Sequence, residues 1–291
     1  MGEASGSIGI GRLTVTSVID GFGETNAAEF WSAVADVTGF DERAARPRGE
    51  WRGFKPLDWV ARPESADARG KIRMEVGGYL IRGWDDRVVL VDAGIGPVAK
   101  RVLAGGALLT SLLSAGVRPE DVTDLVFSHL HEDHIGWAWQ QDRLTFPRAT
   151  VWAHQKDWDF FVTAGGGQRQ APQLRPLEPR LELWDSDFTL LPGLDLVHAP
   201  GHTPGSAIAA ISSGTSRAML LGDTVHCPAE LLDEEWAGLG DMDPDLADRT
   251  RRALARELED GETLIGAAHF PGLRFGRLVT GHGKSSWTTG S

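Results

Sequence analysis

Four apolar stretches that read as β-strands each stop on a residue that strands of this kind rarely carry. "VVLVDAG" stops at Asp92, "DLVFSHLHEDH" at His129, "RAMLLGD" at Asp223 and "TLIGAAH" at His269. A side chain just past the end of a strand is held by a rigid element and can be aimed at a fixed point. A buried, unpaired carboxylate at such a point is costly. A fold that accommodates all four must therefore bring the strand ends together around something that satisfies them.

The strands alternate with helices along the chain, which predicts an α/β arrangement. "IRMEVGGYLIRG" and "DRVVLVDAG" read as two strands joined by the turn-prone "GWDD". "VAKRVLAGGALLTSLLSAG" carries helical spacing and stops at Gly116. "PEDVTDLVFSH" gives a helical turn and a buried strand over Asp124 to Ser128, and "ATVWAH", "LDLVHAP" and "RAMLLGD" are further strands. "DPDLADRTRRALARELEDG" is a helix with Asp243 as its cap, Pro244 in its first turn and Gly261 beyond its end. We find no internal repeat, and residues 1–291 read as one domain. Residues 23–70 break any period, notably at "RPRGEWRGFKP" and "ARPESADARG". With Phe30, Trp31, Trp51, Phe54 and Trp59, this segment is a candidate lid or pocket wall.

Composition narrows the partners. The net charge is −12, from 29 basic and 41 acidic residues, so nucleic acid and anionic membrane are poor expectations. No run of 18 apolar residues predicts a membrane helix, and "MGEASGSIGIGRLTV" does not read as a signal peptide. The one cysteine, Cys227, excludes an intramolecular disulfide and fits a reducing, cytoplasmic setting. There are 11 tryptophans against one tyrosine, Tyr79. Trp84, Trp137 and Trp139 are read first as packing, with an apolar pocket wall as the alternative.

The densest feature is "HLHEDH", in which His129, His131, Asp133 and His134 fall within six positions. A turn after the strand can point all four into one cavity, and imidazole with carboxylate suits a divalent metal such as zinc. Four donors from one loop exceed what a single open site usually takes, so the pattern allows one crowded site or two adjacent ones. His202 in the turn "APGHTPGS", Asp223 and His269 are the further candidates. His154 and His198 read as structural, His282 as exposed near the tail, and Cys227 lacks a partner base that would make it a nucleophile.

Taken together, these residues resemble the metallo-β-lactamase superfamily, with its His-x-His-x-Asp-His motif followed by a distant His, Asp and His. The resemblance covers roughly residues 70–280, with all seven positions filled in order. It implies an αββα sandwich, two face-to-face sheets between helices, with two divalent metals, zinc by expectation, at the sheet edge. On the family's pattern His129, His131 and His202 hold one metal; Asp133, His134 and His269 hold the other; Asp223 bridges them; and Asp92 steadies a ligand histidine. The implied chemistry is hydrolysis by a metal-bridging hydroxide, with Asp133 also able to accept a proton.

Individual residues separate the branches of the superfamily. Flavodiiron members carry glutamate where this chain has His131, and antibiotic-destroying members usually lack an aspartate at the position of Asp223. Glyoxalase II members need a helical C-terminal region, and only 22 residues follow His269. Nuclease members bind polyanions, which the net charge opposes. The remaining resemblance is to acyl-homoserine lactonases and the methyl parathion hydrolase group. Many lactonases have tyrosine three residues after the bridging aspartate; here that position is His226, which resembles the second group, as does "AAHFPGLRFGRLV". An imidazole can still donate to substrate, so His226 joins Asp133 as a catalytic candidate. The expected activity is hydrolysis of a small apolar ester or lactone. The alternatives are a phosphotriester or aryl ester, or a non-hydrolytic oxidative or biosynthetic member. A homodimer is a family-level expectation.

Overall fold

The computed structural model describes residues 6–26, 71–99, 103–232, 240–281 and 284–289. The first sheet contains β1 (Ser7–Ile10), β2 (Leu13–Asn26), β3 (Lys71–Arg82), β4 (Val89–Val91), β5 (Leu103–Ala104) and β6 (Asp124–Val126). A small hairpin of β7 (Trp139–Gln140) and β8 (Arg143–Leu144) precedes its last strands, β9 (Thr150–His154) and β10 (Leu181–Trp184). Its order is β1-β2-β3-β4-β6-β9-β10, with β5 paired to β2. The second sheet runs in sequence order through β11 (Phe188–Leu191), β12 (Leu194–His198), β13 (Ala207–Ser213), β14 (Ser216–Leu220), β15 (Leu264–Gly266), β16 (Gly276–Gly281) and β17 (Lys284–Thr289). The helices are α1 (Leu108–Ser114), α2 (Glu132–Ile135), α3 (Gln155–Trp158), α4 (Ala171–Leu174), α5 (Ala229–Leu232) and α6 (Pro244–Glu257).

Strand periodicity of two sorts the apolar side chains into three layers of core. Tyr79, Ile81, Val89, Val91 and Val126 of the first sheet face Leu194, Leu196, Ala207, Ala209 and Ile211 of the second. Their neighbours Leu80, Leu90 and Leu125 point the other way, onto Leu108 and Leu112 of α1 and onto Phe161 and Leu174. On the far side, Ile208 and Ile265 pack with Leu254 of α6, Leu258 and Leu278. Helix, sheet, sheet and helix follow in that order, which is the expected αββα sandwich. Trp137 is buried in the core between the first sheet and α1, with Trp139 packed against it, and Trp84 packs against the inter-sheet core.

Strand direction creates the site. β4, β6 and β9 are mutually parallel, so the chain leaves all three at one edge. In the second sheet β12 and β14 both run antiparallel to β13, and β15 runs parallel to β14. The residues that follow β12, β14 and β15 are those that carry His202, Asp223 and His269.

Some boundaries depart from the sequence reading. Among the described residues of the helix predicted across 98–116, only α1 is an α-helix, and Leu103 and Ala104 pair instead with Gly23 and Phe22. Asp20 sets the start of α1: its Oδ1 accepts from Gly106 N at 2.9 Å and Leu108 N at 3.0 Å. Residues 23–26, expected to be irregular, continue β2. The rest of that segment, 27–70, and His282 lie outside the described residues.

Candidate metal centre

The loop after β6 is anchored before it presents any donor. Asp92 sits at φ 64, a left-handed conformation uncommon outside glycine that aspartate adopts more readily than most residues. Its Oδ1 accepts from Ser128 N at 2.8 Å, and its Oδ2 accepts from the Ser128 hydroxyl at 2.8 Å and faces His134 Nδ1 at 2.9 Å. The second sheet closes on the same spot: Ser128 O accepts from Ala207 N at 2.8 Å. Gly222, at φ +53, allows that approach, since a Cβ there would meet Ser128 Oγ at 2.5 Å. Asp223 follows immediately.

The seven residues singled out from the sequence meet in one cluster, and each is buried. His131 Nδ1 lies 3.0 Å from His129 Nε2 and 3.0 Å from His202 Nε2, so three imidazole nitrogens converge on one point. Asp133, His134 and His269 form a second set, with His269 Nε2 3.5 Å from Asp133 Oδ2. Asp223 Oδ2 reaches into both sets, at 3.7 Å from His129 Nε2, 3.6 Å from His202 Nε2, 3.3 Å from His134 Nε2 and 3.1 Å from His269 Nε2.

Three of the outward nitrogens are held, which fixes ring orientation and tautomer. His134 is held by Asp92, and His269 Nδ1 donates to Glu75 O at 2.8 Å. His202 Nδ1 lies 3.3 Å from Asp241 Oδ1, and Asp241 in turn accepts from Arg251 Nη2 at 2.9 Å. Asp241, Arg251 and Glu75 were not foreseen. The capped helix containing Arg251 was legible, but nothing local to Asp241 or Glu75 signals a partner so far along the chain.

Burial and the neighbouring imidazoles hold His129 and His131 well below the ordinary histidine range, in the neutral form that metal ligation requires. Burial opposes charge on His134, yet Asp223, Asp92 and Asp133 hold it well above that range. Burial would raise Asp223, but His269, His134, His129 and His226 keep it well below the carboxylate range. His134 Nε2 and Asp223 Oδ1 are among the buried side-chain atoms without a hydrogen-bond partner, and both belong to the cluster. Orphaned lone pairs beside converging imidazoles and carboxylates fit divalent cations, which this donor set could hold.

His226 also lines the cluster. Its Nε2 lies 3.6 Å from Asp223 Oδ2, and its ring stacks on His269 with a centroid spacing of 5.7 Å. Its backbone N–H donates to Glu230 Oε2 at 2.8 Å, with Nδ1 3.4 Å from the same carboxylate. Burial resists protonation, but Glu230 and Asp223 push His226 up to about 9. Cys227 is buried and in no disulfide. His154 and His198 stand apart from the donor sets and stack on each other at 4.1 Å, in the structural role expected of them.

The fold and this cluster define a metal-binding αββα protein. The family description of the Metallo-beta-lactamase superfamily matches residues 78–269, and the chain belongs to that superfamily. The N-acyl homoserine lactonase of Bacillus thuringiensis is 22% identical over 176 residues, covering 60% of this chain and 66% of its own length. The chain thus spans just under two thirds of that curated relative. AidC, a dizinc quorum-quenching lactonase solved with a product, superposes with a TM-score of 0.73 at 24% identity, over 100% of this chain and 99% of its own. The hydrolase AbOPH of the beta-lactamase superfamily superposes with a TM-score of 0.79 at 19% identity, again over 100% and 99%. Both likenesses are of fold.

Proposed function

We propose that the chain is a metal-dependent hydrolase that opens a small, largely apolar ester or lactone at a dinuclear zinc centre. The observation that carries the reading is the reach of Asp223, whose Oδ2 lies between 3.1 and 3.7 Å from ring nitrogens of five histidines. One ion would be held by His129, His131 and His202, the other by Asp133, His134 and His269, with Asp223 shared. When bound, the ions supply an acidified water and a Lewis acid for the acyl oxygen. Likeness to lactonases supports the substrate class.

The chain's own residues do the rest. Asp133, at 7% the most exposed of the seven donors, holds the proton released as water adds to the acyl carbon. His226, backed by Glu230, presents Nε2 to the same space and donates to the leaving oxygen as the acyl C–O bond breaks. The products are a carboxylic acid and an alcohol, joined in one molecule when the substrate is a lactone.

Side-by-side turnover of homoserine lactones of several chain lengths, aryl esters and a phosphotriester by zinc-loaded protein tests this reading. Lactones should be preferred, with rates rising with acyl length. Fast phosphotriester cleavage beside negligible lactone turnover would reverse the assignment. Absence of hydrolysis with iron in the purified protein would move it to the oxidative class.

A further inference from the structure

Three of the converging imidazoles come from two separate loops, His129 and His131 after β6 and His202 after β12. Between those loops lies a carboxylate that belongs to none of the donor sets, Asp157. It sits on α3 at the end of β9, the strand beside β6, and is buried. Asp157 Oδ2 accepts from Leu130 N at 3.1 Å, the peptide between His129 and His131. The same oxygen accepts from Thr203 Oγ1 at 2.9 Å, next to His202. Oδ1 accepts from Gly205 N at 2.6 Å. One carboxylate thus receives three hydrogen bonds from the two loops.

The surroundings leave the link little freedom. Thr203 N donates to Ser206 Oγ at 2.9 Å, which closes the His202 loop on itself. At Gly205 a Cβ would meet Asp157 N at 2.7 Å, so the loop lies directly against α3. Every partner of Asp157 is a donor, which a carboxylate satisfies and a carboxamide cannot, because its NH2 would face an N–H.

We propose that Asp157 is a positioning residue: it sets the separation of the His129–His131 loop from the His202 loop, and thereby the affinity and geometry of the metal site those three histidines form. The proposal rests on their reading as ligands. Outer partners of metal ligands act in this way, and their loss costs about 10- to 100-fold in metal affinity.

Cobalt(II) titration of metal-free protein tests it, since the visible bands report coordination geometry independently of turnover. Wild type should bind two equivalents. Asp157→Asn should keep its far-ultraviolet circular dichroism, bind one equivalent about 10- to 100-fold more weakly with altered bands, and keep the other. Thr203→Val removes one of the three hydrogen bonds and should shift the same equivalent in the same direction by less, which serves if Asp157→Asn does not fold. Asp124→Asn is the control: that buried carboxylate lies at the start of β6, bound to Arg87 and Trp152, and its loss should leave the bands unchanged. Wild-type affinity and bands in both Asp157→Asn and Thr203→Val would overturn the positioning role while leaving the metal assignment intact. A wild type that binds no cobalt would overturn both.

Discussion

Asp223 joins the two halves of the cluster, so removing its carboxylate should affect both. Asp223→Ala leaves facing imidazoles without their shared anion, and His131→Ala removes the nitrogen on which His129 and His202 converge. Each variant should lose bound metal and at least about 100-fold in kcat/KM, about 3 kcal/mol of transition-state stabilisation. Elemental analysis beside kinetics checks this, and full metal content with full activity in either would contradict it. His226→Asn should separate the two readouts, lowering kcat by about 10- to 100-fold with metal content retained. Loss of metal in that variant would instead make His226 a ligand. All seven clustered residues were legible as candidates because four of them crowd into six positions and the others occupy turns or strand ends. Of their supports Asp92 was legible and Glu75 was not, since Glu75 lies 194 residues from His269 and only the closed fold brings it near.

At the scale of elements, the site depends on how strands end. β9 passes into α3 through His154, whose Nδ1 accepts from Lys156 N at 3.1 Å and caps the helix. Protonation there would set donor against donor. Burial, then the stacked His198 ring, push His154 down to about 4. The unfolded chain, with its histidine near 6.5, therefore takes up the proton first as pH falls, and the folded state loses stability between about pH 6.5 and 4. His154→Asn keeps a capping acceptor but does not titrate. The stability of wild type relative to this variant should fall through that window in denaturant unfolding, whereas a constant difference would contradict the assignment. Strand positions were readable from apolar runs of period two, and the helix at Asp243 from its cap and proline. The helical spacing misled at residues 103–107 because Asp20, far back in the sequence, captures Gly106 N and Leu108 N at the start of α1.

For the molecule as a whole, the sandwich brings together at one edge charges that neither sheet could bury alone. Asp92, Asp133 and Asp223 are all buried there; Ser128 and His134 satisfy Asp92, and bound cations would compensate the other two. Ligands that bind only the folded state stabilise it, by about 2.7 kcal/mol at a hundredfold excess over Kd. Chelation should therefore lower the thermal midpoint by several degrees, and zinc should restore it. Four layers were expected from the motif and are observed, while strand order came only with the structure. Among the described residues no helix is long and apolar enough to cross a membrane.

The proposed hydrolysis depends on two metals. The most direct measurement titrates zinc into metal-free protein while acid release from an acyl-homoserine lactone is followed. Activity should rise from near zero and level off at two equivalents, with Asp223→Ala flat throughout. Lactone opening that proceeds without metal, or that Asp223→Ala retains, would contradict a two-metal mechanism.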